Sequence, residues 1–308
     1  MSRLILVPQY PTKLRYQEWW FDRFPEEFSF YFNEIIVLGG EAHYTIEDLG
    51  NSFAPVEASI AFELLQIQIY NEMQLKKDDI LLLCDLSFPG LFANILFHKR
   101  PNRCFAICHA TSKNAHDYYA KDKKIKFPIE TNQAKLFDAI FVATEYHKHK
   151  LNWGNVIVQG FPNPPFPIPV PTANKEYPII SVARNSVQKR TLHIEKEVEK
   201  AFNTQIVRPD VQTWEEYYSF LASAKVLLIT SKEETYGYQV VDAVLNDCIP
   251  IAPNHFSYPE LLPKEYLYNT IGELIQIIIK ALHNKLSVPE LKVHPDYFYQ
   301  NIYMYMTS

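Results

Sequence analysis

The sequence predicts an α/β protein with two doubly wound domains, each a parallel sheet covered by helices on both faces. Three observations carry that expectation. Short continuous apolar runs alternate with helical segments along most of the 308 residues, and strands buried on both faces read as such runs. The runs fall into two sets, separated by the proline-rich stretch "FPNPPFPIPVPTANKEYP" (161–178), a composition that is extended and semi-rigid, as an interdomain linker should be. A 47% hydrophobic chain of this length can bury about two cores.

In chain order, the first set reads as strands at "RLILVP" (3–8), "EIIVLG" (34–39), "DILLLCD" (79–85), "RCFAICH" (103–109), "AIFVAT" (139–144) and "NVIVQG" (155–160). "VEASIAFELLQIQIYNEM" (56–73) is too long for a strand and reads as a helix, as does "LFANILFHK" (91–99). "PQYPTKLRYQEWW" (8–20), with Pro8 and Pro11, reads as a surface loop, and "EYHKHK" (145–150) as the start of a surface helix. The second set gives strands at "PIISVA" (178–183), "TQIVRP" (204–209), "KVLLIT" (225–230) and "IPIAP" (249–253), with helices near 192–202, 213–223 and 236–246 between them. The tyrosines of the final "PDYFYQNIYMYMTS" (295–308) are expected to pack rather than to stack on a ligand. The expected domains are 1–161 and 179–285, joined by a linker at 162–178 and followed by a terminal segment at 286–308.

Composition removes several functions. A net charge of −5 and the absence of an apolar run of about 20 residues describe an ordinary soluble chain. Pro8 and Pro11 stand where a signal peptide needs an apolar helix, so a cytoplasmic location is expected. Cys84, Cys104, Cys108 and Cys248 have no framework spacing and read as small buried hydrophobes; no metal site is expected from them or from His147 and His149. With only 8 glycines there is neither a GxGxxG nor a Walker pattern, so any phosphate must be held by another device.

That device centres on "EETYGYQVVDA" (233–243). "KVLLIT" is a strand and "YGYQVVDAVLN" a helix, with Gly237 at the turn, where backbone amides and the helix dipole favour an anion. Glu234 and Asp242 lie eight positions apart, a little over two turns. They read either as an acidic cap and a solvated carboxylate, or as a site for a ligand with both phosphates and hydroxyls. Upstream, "SVARNSVQKR" (181–190) places Arg184 and Lys189 five apart.

The basic pair, the strand–turn–helix with its acidic pair, and Pro259–Glu260 follow in the order found in retaining GT-B glycosyltransferases with an E-x7-E donor motif, which this chain resembles over about residues 178–268. The segment "DCIPIAPNHFSYPELLPKEYLY" looks closest to the branch holding the tRNA-queuosine mannosyltransferases. The N-terminal half resembles the family in architecture and in "ICHA" and "FDAIFVATEYHKHKL". The resemblance implies two Rossmann-like domains facing a cleft, the first on the acceptor side and the second binding a nucleotide-sugar, UDP- or GDP-linked, with the terminal segment crossing back onto the first. Arg184 and Lys189 would neutralise the leaving diphosphate, with amides near Tyr236, Gly237 and Tyr238 adding donors. Glu234 would hold sugar hydroxyls and Asp242, where the family has Glu, the ribose; a carboxylate accepts two hydroxyl hydrogen bonds at once. Glu260 would touch the donor. Arg208 and Asp210 fall where the family binds the nucleobase, mostly through backbone. The implied mechanism is front-face attack with no protein nucleophile, no metal and no cofactor beyond the donor.

On the acceptor side, the family's Gly-rich loop is replaced by residues 8–20, where Lys13 and Arg15, with Tyr16 and Gln17, are candidates to line the cleft. His109, closing the "CFAICH" strand, is another candidate. Residues 98–150 hold eleven Lys or Arg against five acids in a chain that is net acidic. "YYAKDKKIKF" (118–127) interleaves aromatics with Lys121, Lys123 and Lys124, which suits phosphate contact with base stacking as well as it suits a solvated loop. The expected acceptor is a hydroxyl on a modified nucleobase in tRNA or DNA, with a saccharide or lipid-linked acceptor as the alternative. A non-catalytic nucleotide-sugar or nucleic-acid binding protein is the reading of another class.

Overall fold

A computed structural model describes residues 3–40, 56–86, 91–116, 120, 122–165, 175–184, 189–293 and 297–308. The chain divides into two compact units, Met1–Pro162 with Pro295–Ser308, and Asn163–His294. The boundary falls at the start of the proline-rich stretch, of which 166–174 lie outside the described residues. No helix among the described residues is long and apolar enough to cross a membrane.

The first unit is built on six parallel strands: β1 (Arg3–Val7), β2 (Glu34–Val37), β3 (Ile80–Leu83), β4 (Arg103–Ile107), β5 (Ala139–Val142) and β6 (Val156–Val158). Their order in the sheet is β2-β1-β3-β4-β5-β6. Side chains alternate across a strand, so each apolar run feeds two faces. Ile5, Val7, Leu81, Leu83, Cys104, Ala106, Ile140 and Val142 form one core with Tyr70 of α2 (Val56–Glu72), Ile95 of α3 (Leu91–His98), Ala134 of α4 (Lys123–Ala134) and Leu151 of α5 (Glu145–Leu151). The alternate residues Leu4, Leu6, Leu82, Phe105 and Phe141 are equally buried. On that side Tyr305 of α11 (Phe298–Thr307) meets Phe141, and the Arg103 guanidinium donates to the Met306 carbonyl at 2.9 Å. Phe298 packs on Phe24 of α1 (Tyr16–Phe28), and Tyr299 meets Phe24 and Phe28 edge-on.

Three local expectations change here. The presumed loop at 8–20 runs into α1, because Gln17, Trp20, Phe24 and Phe28 recur at helical spacing and are buried together; the Glu18 carboxylate caps the turn by accepting from the Leu14 amide at 2.7 Å. Residues 123–127, read as part of a loop, begin α4 despite Pro128, since buried Glu130 accepts from both the amide and the hydroxyl of Ser112 and ties the helix down. His147, expected on a surface helix, is fully buried, with burial and Lys150 pushing its pKa down to about 3.

The second unit holds β7 (Tyr177–Ile180), β8 (Ala224–Leu228), β9 (Ile249–Pro253) and β10 (Leu267–Tyr268), all parallel in the order β10-β9-β8-β7. The helices are α6 (Leu192–Phe202), α7 (Trp214–Ala222), α8 (Tyr238–Leu245), α9 (Tyr258–Leu261) and α10 (Ile271–Leu282). The strand expected at 204–209 shrinks to one bridge, Ile180 with Val207. Its neighbours are taken by α6: the Glu199 carbonyl accepts from Thr204 and the Glu199 carboxylate from the Ile206 amide. Even so, Val207 sits beyond β7 and β8 on its other side, so the connections diverge between β7 and β8, the point at which open α/β sheets bind ligands.

Candidate functional site

Among the described residues of the second unit, the expected site residues follow the carboxyl ends of β7, β8 and β9. Arg184 ends the described run after β7 and is half-buried; residues 185–188 of the basic segment lie outside the described residues. The chain returns at Lys189, whose ammonium donates to the Glu234 carboxylate at 2.7 Å, with both side chains about one-sixth exposed (15% and 16%). The contact is held from behind. The Thr191 amide donates to Thr230 Oγ1 at 3.0 Å, and the Thr191 hydroxyl to the Thr230 carbonyl at 2.7 Å, which staples the start of α6 to the end of β8.

After Glu234 the chain turns through Gly237, which caps α8 at φ 109°. The positive φ favours glycine on conformational grounds, and a Cβ there would stand 3.2 Å from the Leu261 and Tyr258 side chains, which would have to give way by a few tenths of an ångström. The Ser257 hydroxyl donates to the Tyr236 carbonyl at 2.7 Å and fixes the turn against α9. Tyr236 is buried and meets the half-buried Tyr238 ring edge-on. Glu260, half-buried in α9, belongs to the same packed corner. One turn into α8, Asp242 is only 5% exposed, and its two oxygens accept from the hydroxyls of Tyr217 (3.0 Å) and Tyr218 (3.4 Å). Burial pushes its pKa up to about 7, and the two tyrosine hydrogen bonds oppose that rise. Arg208, at the expected nucleobase position, turns its side chain to Glu195 at 2.6 Å.

The first unit also gathers polar groups at its own divergence point, between β1 and β3. Gln9 donates to Asp85 at 2.7 Å across that gap, and the Tyr16 hydroxyl reaches the same oxygen at 3.2 Å. The His109 amide donates to the other Asp85 oxygen at 3.3 Å. The His109 ring stacks on Tyr16 with centroids 4.1 Å apart and is flanked by Trp20 and Phe161. Burial, and next His147, hold this imidazole well below its ordinary pKa, so it is neutral at pH 7. Gln17 and Trp20 line a hollow beside it, while Lys13 and Arg15 are half-buried in the preceding turn. Lys123 and Lys124 are exposed at the start of α4; Lys121 lies outside the described residues. Lys113 stands 4.3 Å above the Phe127 ring, and burial with nearby Lys123 and Lys150 lowers its pKa.

No family model matches the chain. A tRNA-queuosine α-mannosyltransferase of Drosophila melanogaster is 36% identical over 88 residues, which is 28% of this chain and 22% of the fly protein's length. Among solved structures, Anabaena HepE, in complex with UDP and glucose, superposes with a TM-score of 0.63 at 11% identity, covering 99% of this chain and 95% of HepE. TarM superposes at 0.53 and 17% identity, covering 72% of this chain and 51% of TarM. The lipopolysaccharide outer core galactosyltransferase WaaB matches over 98% of this chain and 94% of its own, at 0.60 and 12% identity. The chain has the GT-B fold. Within this GT-B chain, sequence reasoning misses Glu195, Thr191, Thr230, Tyr217, Tyr218, Gln9 and Asp85. The two tyrosines and Glu195 carried a signal, since each is a polar residue on a helix face that must pack against a sheet. The partner of each was not readable.

Proposed function

We propose that the chain is a retaining glycosyltransferase that moves a hexose or related sugar from a UDP- or GDP-sugar to a hydroxyl acceptor, first of all on a modified nucleobase in tRNA or DNA, in the cytoplasm. The observation that carries the reading is the Lys189–Glu234 contact beside the Gly237-capped start of α8, at the divergence point of the second sheet. A cation and a carboxylate in contact beside a helix N-terminus suit a ligand that is a diphosphate at one end and a polyol at the other.

In this reading the donor diphosphate takes over Lys189, releasing Glu234 to accept from sugar hydroxyls. Arg184 joins Lys189 on the phosphates, and the amides around Tyr238 complete the cradle, with Tyr236, Glu260 and Asp242 on the donor's flanks. As the glycosidic bond lengthens, negative charge grows on the leaving phosphate. Fixed cations and amides favour that charge more than they favour the ground state, which is what lowers a barrier. The acceptor hydroxyl attacks from the same face, and the leaving phosphate oxygen takes its proton. Side chains and helix terminus do the neutralising, without a metal. The UDP and glucose held by HepE, and the local identity to the fly tRNA-modifying enzyme, support the donor and acceptor classes respectively. A lipid-linked or membrane-borne saccharide is the second reading, favoured by Ile125 and Ile129 standing 69% and 47% exposed among the lysines of α4.

The test is a thermal-shift panel with UDP, GDP, ADP, CMP and their sugar conjugates, followed by transfer of the responding labelled sugar to tRNA, DNA or lipid extracts. A ligand at about 100 times its Kd stabilises by about 2.7 kcal/mol. No response from any nucleotide would overturn the reading.

A further inference from the structure

Asp242 sits in a setting that a solvated ribose-binding acid would not need. It is almost fully buried in the second turn of α8, and both of its oxygens already accept hydrogen bonds from α7, at 3.0 Å from Tyr217 and 3.4 Å from Tyr218. Trp214 stacks on Tyr218 and meets Tyr217 edge-on, so the tyrosine rings are held from the start of the helix that carries them. The groups facing the carboxylate from α7 are these two phenols; Cys248, ahead of β9, faces Tyr217 in turn. Neither tyrosine supplies charge, because burial raises both phenols above their ordinary pKa. Each carboxylate oxygen has two acceptor positions, so one on each remains.

We infer that Tyr217 is a positioning residue for donor binding: by donating to Asp242 Oδ2 it orients this short carboxylate so that the remaining lone pairs meet the hydroxyls of the nucleotide ribose. The inference rests on the donor-site reading above. Asp242 is one methylene shorter than a glutamate, and a buried carboxylate without donors would take up a proton and lose acceptor capacity. Tyr217 makes the shorter of the two bonds to Asp242, 3.0 Å against 3.4 Å for Tyr218.

The experiment measures affinity for UDP-glucose and GDP-mannose, whose diphosphates do not titrate near neutrality, from pH 6.0 to 8.5 by calorimetry on the whole chain, for the wild type, Tyr217→Phe, Tyr218→Phe and Asp242→Asn. Wild-type affinity should rise with pH across the titration of Asp242. Losing one hydrogen bond to a charged group should move that profile up by about one pH unit in Tyr217→Phe, a loss of about fivefold at pH 7 that shrinks by pH 8.5. Tyr218→Phe should move it less, and Asp242→Asn should bind weakly with no such profile. A Tyr217→Phe profile that matches the wild type overturns the inference, as does a loss of equal size at every pH, which would mark a merely structural tyrosine. If Tyr217→Phe does not fold, an Asp242→Asn variant that keeps the wild-type profile overturns it. In all these cases the wild type still binds donor and the donor-site reading stands; a wild type that binds neither donor at any pH overturns both.

Discussion

Gly237 gives the site its shape through backbone alone. At φ 109°, a conformation that L side chains rarely adopt, Gly237→Ala is strained in its backbone, and its Cβ would stand 3.2 Å from the Leu261 and Tyr258 side chains. It should destabilise by about 1–3 kcal/mol, read as a lower denaturation midpoint, and weaken any nucleotide response with it. In the proposed reaction Lys189 and Arg184 differ, since their work would be electrostatic. Either alanine variant should lower transfer by about 10²–10³, the usual cost of one transition-state donor, while the far-UV spectrum is kept and the melting temperature moves by a few degrees at most. Normal transfer by both variants would remove these residues from the mechanism. The spacing of Arg184, Lys189, Glu234 and Asp242 was legible in the sequence because each stands in a short local pattern. What each side chain touches was not: the Lys189 contact joins residues 45 apart, and the Asp242 contacts join residues 25 and 24 apart.

At the scale of elements, α6 decides how the basic segment is presented. Glu195, in its first turn and 4% exposed, accepts from Arg190 at 2.7 Å and from Arg208 at 2.6 Å. Removing it by Glu195→Ala leaves two guanidinium groups around a buried hole. The expected cost is about 3–5 kcal/mol of stability, with weaker donor binding because the turn that carries Lys189 loosens, checked by denaturant melts and nucleotide titration. Strands were the easiest elements to read, since continuous apolar runs permit little else between two helical layers. The losses came where tertiary packing overruled local signals. Prolines and charges at 8–15 and at 121–128 suggested loops, yet the aromatic face of α1 and the Ser112–Glu130 tie of α4 extended helices through or up to them. The 204–209 run lost most of its strand because α6 claimed its amides.

For the whole molecule, buried carboxyl groups link stability to pH. Glu63 of α2 is 5% exposed, has an oxygen with no hydrogen-bond partner, and is pushed by burial from 4.5 up to about 8. Its folded pKa lies above the unfolded value, so the folded state holds the extra proton. The resulting stability is present below pH 4.5 and is lost as pH rises through about 8. Glu63→Gln should therefore melt with the wild type near pH 4.5 and above it at pH 9, by about 1–3 kcal/mol or roughly 2–4 °C for each. Equal melting temperatures at pH 9 would count against a buried carboxyl. The basic excess of residues 98–150 acts at this scale too. If the acceptor is a nucleic acid, its use should weaken steeply with salt, the slope following the number of phosphates neutralised; salt-independent transfer would favour a neutral saccharide.

The sequence by itself determined the fold class, the six strands of the first sheet, β7, β8 and β9 of the second, and the order of basic pair, glycine turn and acidic pair; it did not show β10. These follow from demands a residue meets with its near neighbours: burial on both faces of a strand, the period of a helix, the backbone freedom of one glycine. Only the tertiary structure decided that Glu234 faces a lysine while Asp242 faces two tyrosines. It likewise decided that Glu195 lies between two arginines, and that Gln9 meets Asp85 across the gap between β1 and β3. Those pairings depend on which elements the packing of a whole layer brings together, and spacing along the chain carries no record of that choice.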